Sequence, residues 1–204
     1  MNMKERQHSM NTIILASTSP RRKDLLTQIG LPFRIIGRPI NEDLLPGESA
    51  EEMAARLAQA KARRVGQDFR TAPAWIVGAD TVVFDEEGIY GKANDLSEAR
   101  RFLRRLSGKT HRVVTAVSLV NGHNDTVTTD SDVTKVSFAE LSDEEIEWYL
   151  GTNEWQGVAG AYRVQGRAAC FVEELHGSYS TVMGLPIRTL YSILKHNQYP
   201  FPQY

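Results

Sequence analysis

The chain has 204 residues, with 24 lysines and arginines against 25 aspartates and glutamates. That balance excludes a duplex-DNA coat or a polybasic membrane binder, and any anion site must be a local cluster. One cysteine, Cys170, leaves neither an intrachain disulfide nor a cysteine zinc site, and points to a reducing cytoplasm. No apolar stretch reaches membrane-spanning length, and residues 1–11, MNMKERQHSMN, lack the apolar centre of a secretory signal, so they read as a disordered leader. Residues 12–204 are expected to form one α/β unit with two lobes.

In chain order, a buried strand is expected over Thr12–Ala16, then a helix from about Arg21 to Ile29. Ser19 suits its N-cap, Pro20 its first turn and Gly30 its stop. A second strand, Phe33 to Ile36, leads into a loop carrying Glu42 and Asp43. Ser49 and Glu52 form a capping box for a helix that ends near Val65, with Met53, Leu57 and Ala60 on one face and Lys61 in its last turns. Trp75 to Phe84 is an apolar strand interrupted by Gly78 and Asp80. Asp95 or Ser97 caps the next helix, with Ala99, Phe102, Leu103 and Leu106 inward and Gly108 as its end. Val113–Val120 and Val127–Phe138 pair through Asn121-Gly122, so part of the sheet is antiparallel. Ser142 and Glu145 cap a helix running to Leu150. Two strands are expected near Ala161–Gln165 and Ala168–Glu174, and a last helix begins at Pro186. These elements define a mixed α/β fold.

Arg21, Arg22 and Lys23 follow Ser17-Thr18-Ser19-Pro20 and put three cations on the first turn of a helix, where the backbone dipole is already positive. A polyphosphate docked on the free amides and guanidiniums removes the conflict; a solvated basic turn is the plainer alternative. Asp80 lies within the apolar run Trp-Ile-Val-Gly-Ala-Asp-Thr-Val-Val-Phe and needs a compensating partner. At a cleft it could activate water or bind a divalent metal; otherwise it is a structural aspartate held by nearby amides. Lys61, Lys92 and Glu42 sit at element ends where the cleft residues of α/β proteins gather.

Ser107-Gly108-Lys109-Thr110 imitates the end of a P-loop, but Leu103 stands at the leading glycine and the order is helix then strand, so Gly108 reads as a helix stop. The histidines show no metal-ligand spacing, so His111 and His176 read as structural, and Arg100, Arg101, Arg104 and Arg105 read as the solvated face of their helix. The glycine-rich segments 160–166 and 177–186 let backbone approach a ligand, and the Gln165 amide could read a base edge; tight turns are the simpler alternative.

Taken together, these segments resemble the Maf family of nucleotide pyrophosphatases. The match runs through Leu15-Ala16-Ser17-Thr18-Ser19-Pro20-Arg21-Arg22 with Leu25-Leu26, Gly78-Ala79-Asp80-Thr81, Gly91-Lys92, and Leu106-Ser107-Gly108 with His111 and Thr115. It continues in Gly160-Ala161-Tyr162 with Gln165-Gly166, and in Gly184-Leu185-Pro186. Arg21, Thr81 and Gln165 resemble the dTTP/UTP branch; the 7-methyl-GTP branch carries Trp-Arg, Asp-Gln and Glu-Gly at the corresponding places. The sequence departs from the family at Ala93, where proline is usual, at Val158, where lysine is frequent, and at Arg163, where glycine is common.

The resemblance implies a mixed twisted sheet in two lobes with a central cleft, like that of inosine triphosphate pyrophosphatases, in a cytoplasmic homodimer without nucleic acid or membrane partners. It implies hydrolysis of a pyrimidine nucleoside triphosphate, dTTP or UTP with CTP or modified uridine nucleotides as further substrates, to the monophosphate and pyrophosphate. It makes Asp80 the proton acceptor and Arg21, Thr81 and Gln165 the specificity residues. Ser17, Arg22, Lys61 and Lys92 contact substrate, and Glu42 with Asp80 holds a divalent cation, Mg2+ or Mn2+. The alternative is a nonenzymatic nucleotide-binding regulator linked to cell division, which needs the basic turn but not Asp80. An RNA-binding role lacks both the charge and the aromatic pattern it requires.

Overall fold

The computed structural model describes residues 11–202. Its elements are β1 (Ile13–Leu15), α1 (Pro20–Gln28), β2 (Phe33–Ile35), α2 (Ala50–Gly66), β3 (Trp75–Asp85), β4 (Gly88–Tyr90) and α3 (Leu96–Leu106), then β5 (Thr110–Asn121), β6 (Thr126–Phe138), α4 (Asp143–Leu150), β7 (Val172–His176), α5 (Tyr179–Met183) and α6 (Ile187–His196). They form one seven-stranded sheet in the order β2-β1-β3-β5-β6-β7, with β4 paired to β3. β1 is parallel to β2 and β3, and the remaining pairs are antiparallel. The mixed sheet anticipated from the Asn121-Gly122 pattern is therefore present.

Side-chain alternation along β3 explains how the cleft arises. Trp75, Val77 and Ala79 join a core with Leu25, Leu26 and Leu190 from α1 and α6. Further along the same face, Val83 joins a second core with Phe102, Leu103, Tyr149 and Phe171, covered by α3 and α4. Thr81 lies between the two cores and belongs to neither, so the helices on that face separate into two lobes there. On the opposite face Ile76, Val82 and Phe84 pack beneath α2.

α2 lies close to the sheet because its buried face is mostly alanine: Ala50, Ala54, Leu57, Ala58, Ala62 and Val65. The expected face centred on Met53, Leu57 and Ala60 is corrected by this rotation; Met53 and Ala60 are only half-buried. A Cβ at Gly78 would stand 2.3 Å from the Ala58 carbonyl oxygen and 2.7 Å from the Ala62 amide nitrogen. Backbone thus meets backbone at Gly78, and the helix is fixed at a height that carries Lys61 to the sheet edge.

Several expectations are corrected. Ala161–Gln165 is not a strand: Gly160 and Ala161 have φ of 68° and 58°, and the chain closes tight turns from Ala161 to Val158 and from Gly166 to Arg163. Arg167–Phe171 is a 3-10 turn, and the last strand begins only at Val172. Cys170 is consequently exposed, although its neighbours are apolar. The β5–β6 hairpin closes through four residues rather than two, because the Asn121 side chain accepts from the His123 amide and Asp125 adopts φ 57°. β4 and α5 were not anticipated; each is short and has no clear period. The expected leader lies outside the described residues except for Asn11, whose carbonyl accepts from the Tyr199 hydroxyl.

Candidate functional site

β1 pairs with β3 only from Trp75 to Val77, and β4 only from Val83 to Asp85. Between these ladders, among the described residues, no strand covers that edge of β3. The notch opens into a cavity of about 600 Å³ that reaches both faces of the sheet. All nine residues singled out from the sequence line it: Ser17, Arg21, Arg22, Glu42, Lys61, Asp80, Thr81, Lys92 and Gln165.

On the α2 face, charges alternate along a string. The Lys61 ammonium donates to Asp80 at 2.5 Å and pairs with Glu42 at 2.6 Å, while Lys92 donates to the other oxygen of Glu42 at 2.9 Å. Asp80 is buried, and Lys61 supplies the partner its sequence context demanded. Burial pushes the Glu42 carboxyl up, but hydrogen bonds from Lys61 and Lys92 outweigh it and bring the value down to about 2. The loop bearing Glu42 is tied to α2 by Arg56, which takes both oxygens of Glu48, at 2.5 and 2.7 Å, and the Asp43 carbonyl at 2.9 Å.

On the opposite face lies the basic turn. Helix geometry splits its three cations: Arg21 and Arg22 line the cavity and Lys23 is exposed, away from it. Arg22 is buried and braces the site, donating from Nε to the Gly184 carbonyl at 2.7 Å, from one terminal nitrogen to Ser17 Oγ at 3.1 Å and from the other to Thr81 Oγ1 at 3.2 Å. Burial lowers its pKa, and Asp80 and Glu42 oppose that shift. Arg21 falls to about 10, through burial first and then the positive fields of Arg22 and Arg163. Neither Arg21 nor Arg22 belongs to any ion pair among the described residues. The pocket therefore concentrates positive charge at an incompletely neutralised point, as an anion site requires.

The turn 157–166 forms the remaining wall. It docks through the Gly160 amide on the Tyr90 and Gly91 carbonyls, at 3.0 and 3.1 Å, and through a bridge between Ala159 and Lys92. Gln165 is exposed at its rim. Arg163 also lines the cavity; one terminal nitrogen holds the Gln156 carbonyl at 3.1 Å, while its buried Nε has no hydrogen-bond partner. Val83, Val182 and Met183 supply apolar wall that single-residue chemistry did not reveal. The apparent P-loop ending is a helix stop, with Gly108 at φ 63°. The α3 arginines are more than a solvated face: Arg100 and Arg104 pair with Glu147 and Asp143 of α4, the latter at 2.8 Å.

Fold and cavity together define a two-lobed mixed α/β protein whose sheet-edge notch pairs an acid with clustered cations. The chain belongs to the Maf-like protein family, whose model matches residues 12–197. The dTTP/UTP pyrophosphatase of Pyrococcus furiosus is 43% identical over 188 residues, covering 91% of this chain and 95% of that protein. The proteins of the same name from Clostridioides difficile and Aquifex aeolicus are each 44% identical over 183 residues, covering 90% of this chain and 93% and 94% of theirs. Among solved structures, a HAM1 protein from Coxiella burnetii shares the fold, with a TM-score of 0.50 and 16% identity over 92% of this chain and 100% of that one.

Proposed function

We propose that this cleft hydrolyses a pyrimidine nucleoside triphosphate, dTTP or UTP, to the monophosphate and pyrophosphate. The observation that carries this reading is the placement of Asp80 in one cavity with Lys61, Lys92 and Glu42 on one face of β3 and Arg21 and Arg22 on the other. Relatives alike over nine-tenths of the chain and named dTTP/UTP pyrophosphatase support the choice of substrate.

In this reading Asp80 accepts a proton from water as the water oxygen bonds to the α-phosphorus. The bond from that phosphorus to the bridging oxygen breaks, and pyrophosphate departs with the bonding electrons. Lys61, Lys92 and Arg21 stabilise charge on the nonbridging and leaving oxygens, the largest contribution available in phosphoryl transfer. Arg22 braces Ser17 and Thr81 and adds its field from behind them. Glu42 and Asp80 already converge on one ammonium, so two carboxylates face a single cation-sized position. They are the residues that would hold Mg2+ or Mn2+, and such an ion neutralises phosphate charge when bound.

The test is pyrophosphate release from a panel of nucleoside triphosphates, with and without Mg2+, by the native chain and by Asp80→Asn. The variant is expected to keep its fold and to bind nucleotide within a few-fold of the native affinity, while turnover falls by about two to four orders of magnitude. Near-native turnover removes Asp80 from the proton-accepting role. No release from any nucleotide overturns the reading and favours a nonenzymatic binder.

A further inference from the structure

The segment between β2 and α2 carries Glu42 to the cavity without a buried side chain to anchor it. From Gly37 to Ser49 no residue is fully buried, and both Leu44 and Leu45 are exposed. Apolar packing does not fix this segment, so its position depends on polar contacts with the rest of the fold. Lys61 and Lys92 grip the Glu42 carboxylate, at 2.6 and 2.9 Å. Four residues earlier, Arg38 pairs with Asp68 at 2.8 Å. On the other side of Glu42 the contact is made by Arg56.

Arg56 is not among the residues that line the cavity, yet its guanidinium gathers the loop. Nε and one terminal nitrogen hold the two oxygens of Glu48, and that terminal nitrogen also donates to the carbonyl of Asp43, the residue next to Glu42. Glu48 in turn accepts from the Leu45 amide at 3.2 Å, so Asp43, Leu45 and Glu48 are drawn to one side chain. A planar fork suits this task because its donors leave in fixed directions. α2 thus grips the loop twice. Lys61 takes the Glu42 carboxylate, and Arg56, about 7.5 Å earlier along the helix axis, takes the backbone beside it. Side-chain exposure is 8% for Glu48 and 31% for Arg56, against 39% for Glu42 and 60% for Lys92. The Arg56 clamp is therefore better shielded from water and salt than the Glu42–Lys92 pair.

We propose that Arg56 is a positioning residue, which keeps the Glu42 carboxylate beside Asp80 when a triphosphate draws Lys61 and Lys92 away. The inference rests on the proposed hydrolytic reading and deepens it. In the structure the two lysines hold Glu42 directly. Phosphate oxygens compete for the same ammonium groups, and each ammonium they take is one that Glu42 gives up. The carboxylate then keeps its place through its backbone, and Arg56 fixes that backbone from α2. The helix is itself held at a set height by Gly78, so the clamp transmits a defined position. A divalent cation requires its carboxylates in place, and losing a residue that orients such a ligand weakens metal binding by about 10- to 100-fold.

The experiment measures Mn2+ affinity from the loss of the free-ion EPR signal. The protein is saturated with the α,β-methylene analogue of UTP, in which the scissile bond cannot break. The native chain, Arg56→Met, Glu48→Gln, Glu42→Gln and the double variant of Arg56→Met with Glu42→Gln are compared. Melting temperature and the Mg2+ concentration that half-saturates UTP turnover are recorded for each. Arg56→Met is expected to weaken Mn2+ binding by about tenfold and to raise the Mg2+ requirement by a similar factor, with kcat at saturating Mg2+ within a few-fold of native. In the Glu42→Gln background the same substitution should change Mn2+ affinity by less than about twofold, because the carboxylate it positions is gone. A lower melting temperature with native Mn2+ affinity would overturn the inference, since Arg56 then serves stability alone. So would an equal loss of affinity with and without Glu42, or a native chain that binds no Mn2+ beside the analogue. Should Arg56→Met fail to fold, Glu48→Gln decides: it must weaken Mn2+ binding too, and native affinity there overturns the inference. A native chain that releases no pyrophosphate from UTP or dTTP fails the functional reading itself, whereas turnover with an unchanged Mg2+ requirement in Arg56→Met fails this inference alone.

Discussion

Arg163 occupies a place where glycine is common in the family, and the fold gives it a specific environment. It lines the cavity beside Arg21, whose pKa it helps to lower, and its Nε is buried without a partner. A buried donor in that condition is costly unless a ligand satisfies it. Arg163→Gly is therefore expected to raise KM for triphosphates by about tenfold, with a smaller change in kcat, and to re-rank the nucleotides accepted. Steady-state kinetics across the panel check this; an unchanged ranking would show that Arg163 does not reach the base. At the same scale, Arg22 illustrates what a residue pattern leaves open. Its position on the first turn suggested a phosphate ligand, and in the structure three of its five N–H donors are engaged with Ser17, Thr81 and Gly184 while the side chain still lines the cavity.

At the scale of elements, the decisive contact is between α2 and β3. Capping boxes at Ser49 and Ser142 and the Asp95 cap were legible because each needs only residues three apart in sequence, and all three form. The height of α2 above the sheet was not legible, because it depends on Gly78 meeting the Ala58–Ala62 backbone across a long sequence separation. Gly78→Ala must push the helix away, and since the blocking atoms are backbone, the expected loss is about 3 kcal/mol or more. Because Lys61 precedes Ala62 on that helix, the surviving folded fraction should also lose turnover. Chemical denaturation and activity of the variant test both; native stability would mean that the helix relaxes freely.

For the whole molecule, pH stability follows from His111. The imidazole is buried against Phe138 and Tyr162, with Nε2 2.8 Å from the Tyr162 hydroxyl. Burial, opposed by the field of Asp85, holds its pKa down to about 4 against an ordinary 6.5. The unfolded chain takes up a proton near pH 6.5 that the folded chain refuses until about pH 4. The contribution is thus fully present above the unfolded value and is lost as pH falls through this window, amounting to about 2 kcal/mol by pH 5. Urea unfolding at pH 7.5 and pH 5 should show that loss, and His111→Gln should remove most of it. An equal pH dependence in the two proteins would refute the assignment.

Near-neutral charge, the mixed α/β class, most helix ends and the identities of the cavity residues were written in the sequence, because caps, periodicity and motif order are local properties. The α/β class followed from hydrophobic period together with helix caps and the Asn121-Gly122 turn, while the nine cavity residues depended on the family pattern as much as on their own chemistry. What the tertiary structure decided is which of them meet. β1 ends at Leu15, the ladder of β4 begins only at Val83, and the edge between them lets Asp80 face Lys61 while Thr81, one residue later, faces Arg22. Turns at Gly160 and Ala161, where the sequence suggested a strand, bring Arg163 and Gln165 to the opposite wall. Strand register and positive-φ turns depend on partners far along the chain, so only folding can assign one acid and its cations to a single cavity.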